Sequence, residues 1–288
     1  MSELLCFTEI AGLRAHINEL KSQGKVIGLI PTMGNLHAGH LKLITAAKQK
    51  CDRVICSIFV NPMQFAANED LDTYPRTLEQ DKAGLLETGC DCLFYPEISE
   101  IYPLGLQTQT VVSVPELGTS HCGSSRPGHF DGVTTVVSKL FNICQPDVAF
   151  FGLKDYQQFL IIQKMVSDLL FPIELVGVET EREPDGLAIS SRNNYLTQEQ
   201  RQLAPALYRI LQGIRAELTA GNREFRALEA SGRASLSAAG LKPDYFAICN
   251  AGSLQAAQPD DLELVILAAA HLGKARLIDN VRLSLNRH

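Results

Sequence analysis

Two histidines three residues apart, His37 and His40 in PTMGNLHAGH (residues 31–40), have the type and spacing to handle a phosphate group. An imidazole donates hydrogen bonds and carries a proton near neutral pH. Ahead of the pair runs Val26, Ile27, Gly28, Leu29, Ile30, and behind it Leu41, Leu43, Ile44 and Ala47 fall at helical spacing. The segment therefore reads as buried strand, tight turn and helix. Both rings then share one face of the first turn, beside N–H groups with no intrahelical acceptor and the positive end of the helix dipole. Such a helix start binds anions. Gly34 permits a positive φ or a close backbone approach, and Gly39 leaves room for a bulky ligand. Read singly, His37 fits the surface and His40 fits a hydrogen-bonded core position equally well.

Three other stretches place polar groups where strands end. RVICSIFV (residues 53–60) reads as a strand running into Asn61-Pro62-Met63-Gln64, and polar residues at strand ends of an open α/β sheet collect ligands. Asn61 and Gln64 serve equally as turn caps; Gln64 offers both donor and acceptor to a substrate bearing hydroxyl and carboxylate. DVAFF (residues 147–151) leads to Gly152-Leu153-Lys154-Asp155, with Gln158 one turn beyond Lys154. A lysine in a helix's first turn opposes the dipole, and makes sense where an anion sits. After a strand at 173–178, Ser190-Ser191-Arg192 combine two hydroxyls with a guanidinium, either a polyphosphate clamp or a helix start with serine caps. Thr77 reads as an N-cap in DTYPRT (residues 72–77), and Asp81 is a candidate metal ligand. Residues 118–132, GTSHCGSSRPGHFDG, read as a mobile loop over a site, with Arg126 and His129 its most chemical members, and a helix follows over about 133–143.

The chain has 288 residues, 45% of them hydrophobic, and a net charge of −6. That balance fits one large or two moderate globular domains and argues against a nucleic-acid footprint. No apolar run reaches transmembrane length and the N-terminus lacks a signal-peptide core, which implies a cytoplasmic protein without membrane contact. Eight cysteines without CxxC spacing read as free buried thiols. From about residue 194 the pattern becomes two helices and three strands at 245–249, 264–269 and 275–278. The expected fold is α/β: a Rossmann-like parallel sheet domain over residues 1–183, followed by a smaller α+β domain over 184–288.

The turn with both histidines resembles the H-x-G-H signature of the nucleotidyltransferase superfamily. PTMGNLHAGH, SIFVNPMQF, DTYPRT, RPGHFDGV, FFGLKDYQQ and DGLAISSRN in this order closely resemble the pantothenate synthetase (pantoate–β-alanine ligase) family. The likeness runs from residue 31 to 193 and then thins to fragments such as ARLIDN. It implies ATP as a substrate with Mg²⁺, and condensation of pantoate with β-alanine through a pantoyl adenylate, releasing AMP and pyrophosphate. By position it assigns Met33, Gly34, Asn35, Leu36, His37, Ala38, Gly39 and His40 to ATP, with His40 the proton donor and His37 steadying phosphates. Gly152, Leu153, Lys154 and Asp155 fall in a second ATP segment, Lys154 on the α-phosphate and Gly152 and Asp155 facing ribose. Ser190, Ser191 and Arg192, preceded by Ile189, match the β/γ-phosphate grip, and Glu181 a main-chain adenine contact. Gln64 and Gln158 match the pantoate glutamines, Gln64 also lying at the β-alanine position. A homodimer and a hinged C-terminal lid are implied as well. Leu153, Ile189 and Cys122 depart from the family pattern. A different nucleotidyltransferase would keep the histidines without needing Gln64 and Gln158, and a non-catalytic nucleotide sensor would bind ATP without turnover.

Overall fold

The structure is a computed structural model that describes residues 3–66, 71 and 74–285. Asp72 and Thr73 of DTYPRT lie outside the described residues. The chain divides into two compact units, Met1–Leu153 with Gln158–Glu179, and Lys154–Gln157 with Thr180–His288.

Among the described residues, the first unit holds six parallel strands, β1 Leu5–Phe7, β2 Ile27–Thr32, β3 Arg53–Ile58, β4 Cys92–Phe94, β5 Val148–Gly152 and β6 Glu174–Val178, in the order β1-β4-β3-β2-β5-β6. The sheet expected from the sequence is therefore present, with one strand it did not announce. β1 is three residues long, LCF, and pairs only with β4 at the edge, too short to carry an alternation. β2 and β3 pair over six residues and β5 and β6 over five, whereas β2 meets β5 only at Gly28↔Val148 and Leu29↔Ala149. The carboxyl ends of β2 and β5 thus part at the point where strand order reverses, which is where open α/β sheets bind ligands.

Helix Ala38–Lys48 lays Leu43, Ile44 and Ala47 on the sheet, in a core with Ile30, Val54, Leu85, Leu93 and Phe150. Gly28 is required there: a Cβ would stand 2.9 Å from Cys51 Sγ. The stretch read as an irregular mobile loop instead contains helical turns Pro115–Gly118 and Cys122–Ser125, and helix His129–Cys144 begins four residues before the expected start. Its polar, Gly-rich composition hid the helix because Gly128, with φ +79°, turns the chain immediately before His129.

The second unit carries three antiparallel strands, β7 Lys242–Asn250, β8 Glu263–Leu272 and β9 Ala275–Ser284, paired in that order. All three run longer than their apolar stretches, and a tight turn at Gly273 lets β8 and β9 stay paired up to the chain reversal. Helices Ala206–Thr219 and Phe225–Ala238 bury Leu207, Leu211, Ile214, Leu218 and Leu236 with Ile248 and Ile266. A short helix not among the two expected precedes them, since Pro205 separates Gln198–Leu203 from Ala206–Thr219. No helix of the described residues is long and apolar enough to cross a membrane.

All eight cysteines are thiols outside any disulfide, and every one except Cys6 is buried. Burial pushes the Cys51 thiol up to about 11 and those of Cys90, Cys92, Cys144 and Cys249 up to about 12. At pH 8 these groups stay protonated and unreactive. Native protein mixed with a chromogenic disulfide should release one equivalent at once, from Cys6, and the rest only on unfolding. Prompt release of several equivalents would contradict the buried placement.

Candidate active site

The first unit's polar groups gather at the carboxyl ends of its strands. β2 runs on into Met33, then Gly34 at φ +82° and Asn35 at φ +50° reverse the chain toward the helix. Asp81, 2% exposed, closes this turn: its carboxylate accepts the Asn35 N–H at 2.9 Å, the Leu36 N–H at 2.7 Å and the Thr77 hydroxyl at 3.1 Å. Asp81, the candidate metal ligand, thus anchors the histidine turn. One expectation is corrected. Thr77 occupies the N-cap position but gives its hydroxyl to Asp81 instead of capping a backbone N–H.

His37 is the N-cap of helix Ala38–Lys48 and His40 its third residue. Their rings stack with centroids 4.0 Å apart and planes 27° off parallel. The His37 backbone N–H donates to His40 Nδ1 at 3.4 Å, which leaves the proton of a neutral His40 ring on Nε2. Its outer nitrogen is thereby a donor, beside the Ala38 and Gly39 N–H groups that helical geometry leaves without intrahelical acceptors.

Gln64, 9% exposed, ends the turn Pro62–Gln64 after β3. Its Oε1 accepts from Asn61 Nδ2 at 3.1 Å, and its Nε2 donates to the Met33 sulfur at 3.0 Å. Its main-chain oxygen meets His129 Nδ1 at 2.8 Å and accepts from Arg126 at 3.4 Å, while Arg126 and His129 are 2.9 Å apart. Arg126 and His129 thus hold the Gln64 backbone. Helix His129–Cys144 approaches this turn so closely that a Cβ at Gly132 would stand 2.5 Å from the Met63 carbonyl.

β5 ends at Gly152, and Leu153 follows in the first unit. The Leu153 departure has a packing reason. Its side chain, 5% exposed, covers Gly177 on β6, where a Cβ would fall 2.5 Å from Leu153 Cδ2, so only its main chain is offered to a ligand. Gln158, half-buried in helix Tyr156–Asp168, groups with this unit. The Cys122 departure is likewise buried, 9% exposed, in the turn Cys122–Ser125.

Lys154 and Asp155 belong to the second unit, in a 3-10 turn ahead of the helix. The Lys154 ammonium stands 3.8 Å from Asp155, whose side chain is half exposed. Asn280 holds the Lys154 main-chain oxygen with a 3.0 Å bond from Nδ2, and its own N–H donates to Asp279 Oδ1 at 2.8 Å. Asp279 in turn grips Arg182 at 2.6 and 2.8 Å, and the guanidinium lies 3.7 Å over the Tyr208 ring. Lys154, Ser190, Asn193, Tyr208 and Asp279 line one pocket. Glu181 and Ile189 pair through the Ile189 N–H, 2.9 Å from the Glu181 oxygen, on either side of a turn at Gly186. The Ile189 departure is therefore accommodated, since its main chain does the work of the pairing. Ser190 Oγ accepts the Arg192 N–H at 3.3 Å and caps the helical turn Ser191–Tyr195; the hydroxyl proton remains for an acceptor. Sequence reading missed Asp279 and Asn280, whose one signal was the ARLIDN fragment, and it missed Arg182 and Tyr102 altogether.

The family model for pantoate-beta-alanine ligase matches residues 5–282. The chain belongs to the pantoate–β-alanine ligase family. It is 58% identical over 273 residues to the pantothenate synthetase of Pseudomonas putida strain GB-1, covering 95% of each chain. Among solved structures, pantothenate synthetase from Thermus thermophilus superposes with a TM-score of 0.90 at 43% identity, over 96% of this chain and 99% of that one. The pantoate-beta-alanine ligase from Francisella tularensis, complexed with beta-gamma ATP and beta-alanine, gives 0.80 at 36% identity over 97% of each.

Proposed function

We infer that this chain joins pantoate to β-alanine with cleavage of ATP, through a pantoyl adenylate, releasing AMP and pyrophosphate. The observation that carries the reading is family membership across residues 5–282, supported by the beta-gamma ATP and beta-alanine with which the Francisella tularensis relative is complexed.

In this reading a pantoate carboxylate oxygen attacks the α-phosphorus in line, forming one P–O bond as the bond to the β-phosphate breaks and pyrophosphate leaves. The His40 Nε2–H and the first-turn N–H groups of the first unit donate to phosphate oxygens. His37 stacks on His40 and holds its ring. Met33 to Gly39 and the Gly152–Leu153 main chain bind the nucleotide. From the second unit, Lys154 faces the α-phosphate, Asp155 the ribose, Glu181 and Ile189 the base through main-chain groups, and Ser190, Ser191 and Arg192 the departing pyrophosphate. Gln64 and Gln158 hold pantoate, and Gln64 also meets β-alanine. The amine of β-alanine then attacks the acyl carbon and AMP leaves. No protein nucleophile takes part, so the acceleration comes from positioning and electrostatics. In this reading Mg²⁺ belongs to the ATP substrate and neutralises phosphate charge. The same family reading implies a cytoplasmic homodimer.

The test is release of pyrophosphate and AMP from ATP and Mg²⁺. Pyrophosphate with pantoate alone, followed by sustained AMP formation once β-alanine is added, is the expected result. ATP binding without cleavage under either condition would favour a nucleotide sensor. A second variant probes the substrate assignment: Gln158→Ala should raise KM for pantoate about tenfold, the effect of one lost hydrogen bond to a charged group, with KM for ATP little changed. Equal increases for both substrates would remove Gln158 from the pantoate site.

A further inference from the structure

The amide of Gln64 has two faces, and which one meets a ligand decides whether it donates or accepts. Its orientation is set by a chain of buried bonds that ends on backbone. Asn61 is 1% exposed and uses all of its hydrogen-bonding capacity inside the protein. Its Oδ1 accepts the Met63 N–H at 3.3 Å and the Tyr102 hydroxyl at 2.7 Å; its Nδ2 donates to the Gly132 carbonyl at 3.0 Å and to Gln64 Oε1 at 3.1 Å. A backbone N–H can only donate and a carbonyl can only accept, so the Asn61 amide has one possible orientation. Asn61 therefore offers an N–H to Gln64, and Gln64 must answer with its oxygen. That leaves the Gln64 Nε2 hydrogens for other partners. One of them rests on the Met33 sulfur, a weak acceptor that a substrate oxygen can displace.

We propose that Tyr102 is a positioning residue for pantoate: its hydroxyl holds in place the Asn61 amide that the backbone has oriented, and through it the Gln64 amide with its N–H groups, and not its oxygen, toward the substrate. Tyr102 is 2% exposed and makes the shortest of the four bonds to Asn61. Because Asn61 Oδ1 accepts, the phenol must donate, and burial raises the Tyr102 pKa so that its proton stays in place at working pH. The Lys139 ammonium lies 4.4 Å over the ring and donates to the Ile101 carbonyl at 2.7 Å, which fixes the ring from behind. Gly132 completes the arrangement, since no side chain fits between its helix and the Met63–Gln64 backbone. A fixed donor suits a carboxylate or hydroxyl oxygen and rejects an ammonium group, so Gln64 meets its ligands through their oxygens. The proposal rests on the reading of Gln64 as a pantoate ligand.

Steady-state kinetics on the whole enzyme tests it. Tyr102→Phe should raise KM for pantoate about tenfold, the scale of one lost buried hydrogen bond, with kcat and KM for ATP within about twofold. In a Gln64→Ala background the same change should add nothing, because the two residues act through one another. Two results would overturn the role of Tyr102 alone: an unchanged pantoate KM in Tyr102→Phe while Gln64→Ala raises it, or additive effects in the double variant. An unchanged pantoate KM in Gln64→Ala would overturn the Gln64 assignment and the proposal with it. Should Tyr102→Phe not fold, Asn61→Asp takes its place. Its carboxylate turns Gln64 over, and KM for pantoate should rise more than tenfold; no rise refutes the proposal.

Discussion

Replacing His40 with Ala should slow pantoate-dependent pyrophosphate release by ~10²–10³-fold, the scale of losing one donor aimed at developing charge. His40 is fixed from two sides. The His37 ring stacks on it at 4.0 Å, and the His37 N–H occupies Nδ1, so Nε2 keeps the proton. Ala removes that donor and leaves the helix start intact, because the turn is anchored independently by Asp81 on the N–H groups of Asn35 and Leu36. Thermal unfolding should therefore move by only a few degrees, and ATP affinity measured without pantoate should change far less than the rate. His40→Gln, which restores an N–H donor without a titratable proton, separates the two contributions of the ring. Recovery of most of the rate would assign His40 to charge stabilisation; no recovery would assign it to proton donation. A His40→Ala enzyme as fast as the parent would remove His40 from the chemistry.

Asp279→Ala should cost about 3–5 kcal/mol of folding free energy in the second unit, the usual effect of breaking a buried ion pair. Asp279 is 4% exposed and holds Arg182 through two short bonds, so its removal leaves a guanidinium flanked by Tyr208 with no counter-charge. The Asn280 N–H loses its acceptor in the same step, and Asn280 is the residue that holds the Lys154 main chain. Urea unfolding should show a lower midpoint, and KM for ATP should rise in the protein that remains folded. Arg182→Met paired with Asp279→Leu, which replaces both charges by apolar groups, should recover much of the stability without restoring the hold on Asn280. A midpoint shift worth under about 1 kcal/mol in Asp279→Ala would show that the pair behaves as a solvent-exposed one.

These two variants differ in how visible their residues are in the sequence. His37, His40, Gly34 and Gly39 form one short run between an apolar strand and an amphipathic helix, and turn chemistry, helix spacing and glycine freedom all act between near neighbours. The same holds for Lys154 after Gly152 and for the serines before Arg192. Alternating β and α segments likewise foretold a parallel sheet, although LCF at residues 5–7 was too short to read as a strand. The loop from Gly118 to Gly132 was misread for a different reason. Its helical turns and its junction with His129 are held by packing and by Gln64, which composition does not reveal.

Local order thus determined where the proposed phosphate and substrate residues stand along the chain, and the ordered set of motifs was enough to name their family. Only the tertiary structure decided which polar groups answer one another. Asn61 meets Tyr102 across 41 positions and Gly132 across 71, and Arg182 meets Asp279 across 97. It also decided that Asp81 closes a turn, that Leu153 covers Gly177, and that Gln64 presents a donor. A hydrogen bond depends on distance and direction within a few tenths of an ångström, and separations of that length along a chain carry no such information until the sheet and helices have brought the ends together.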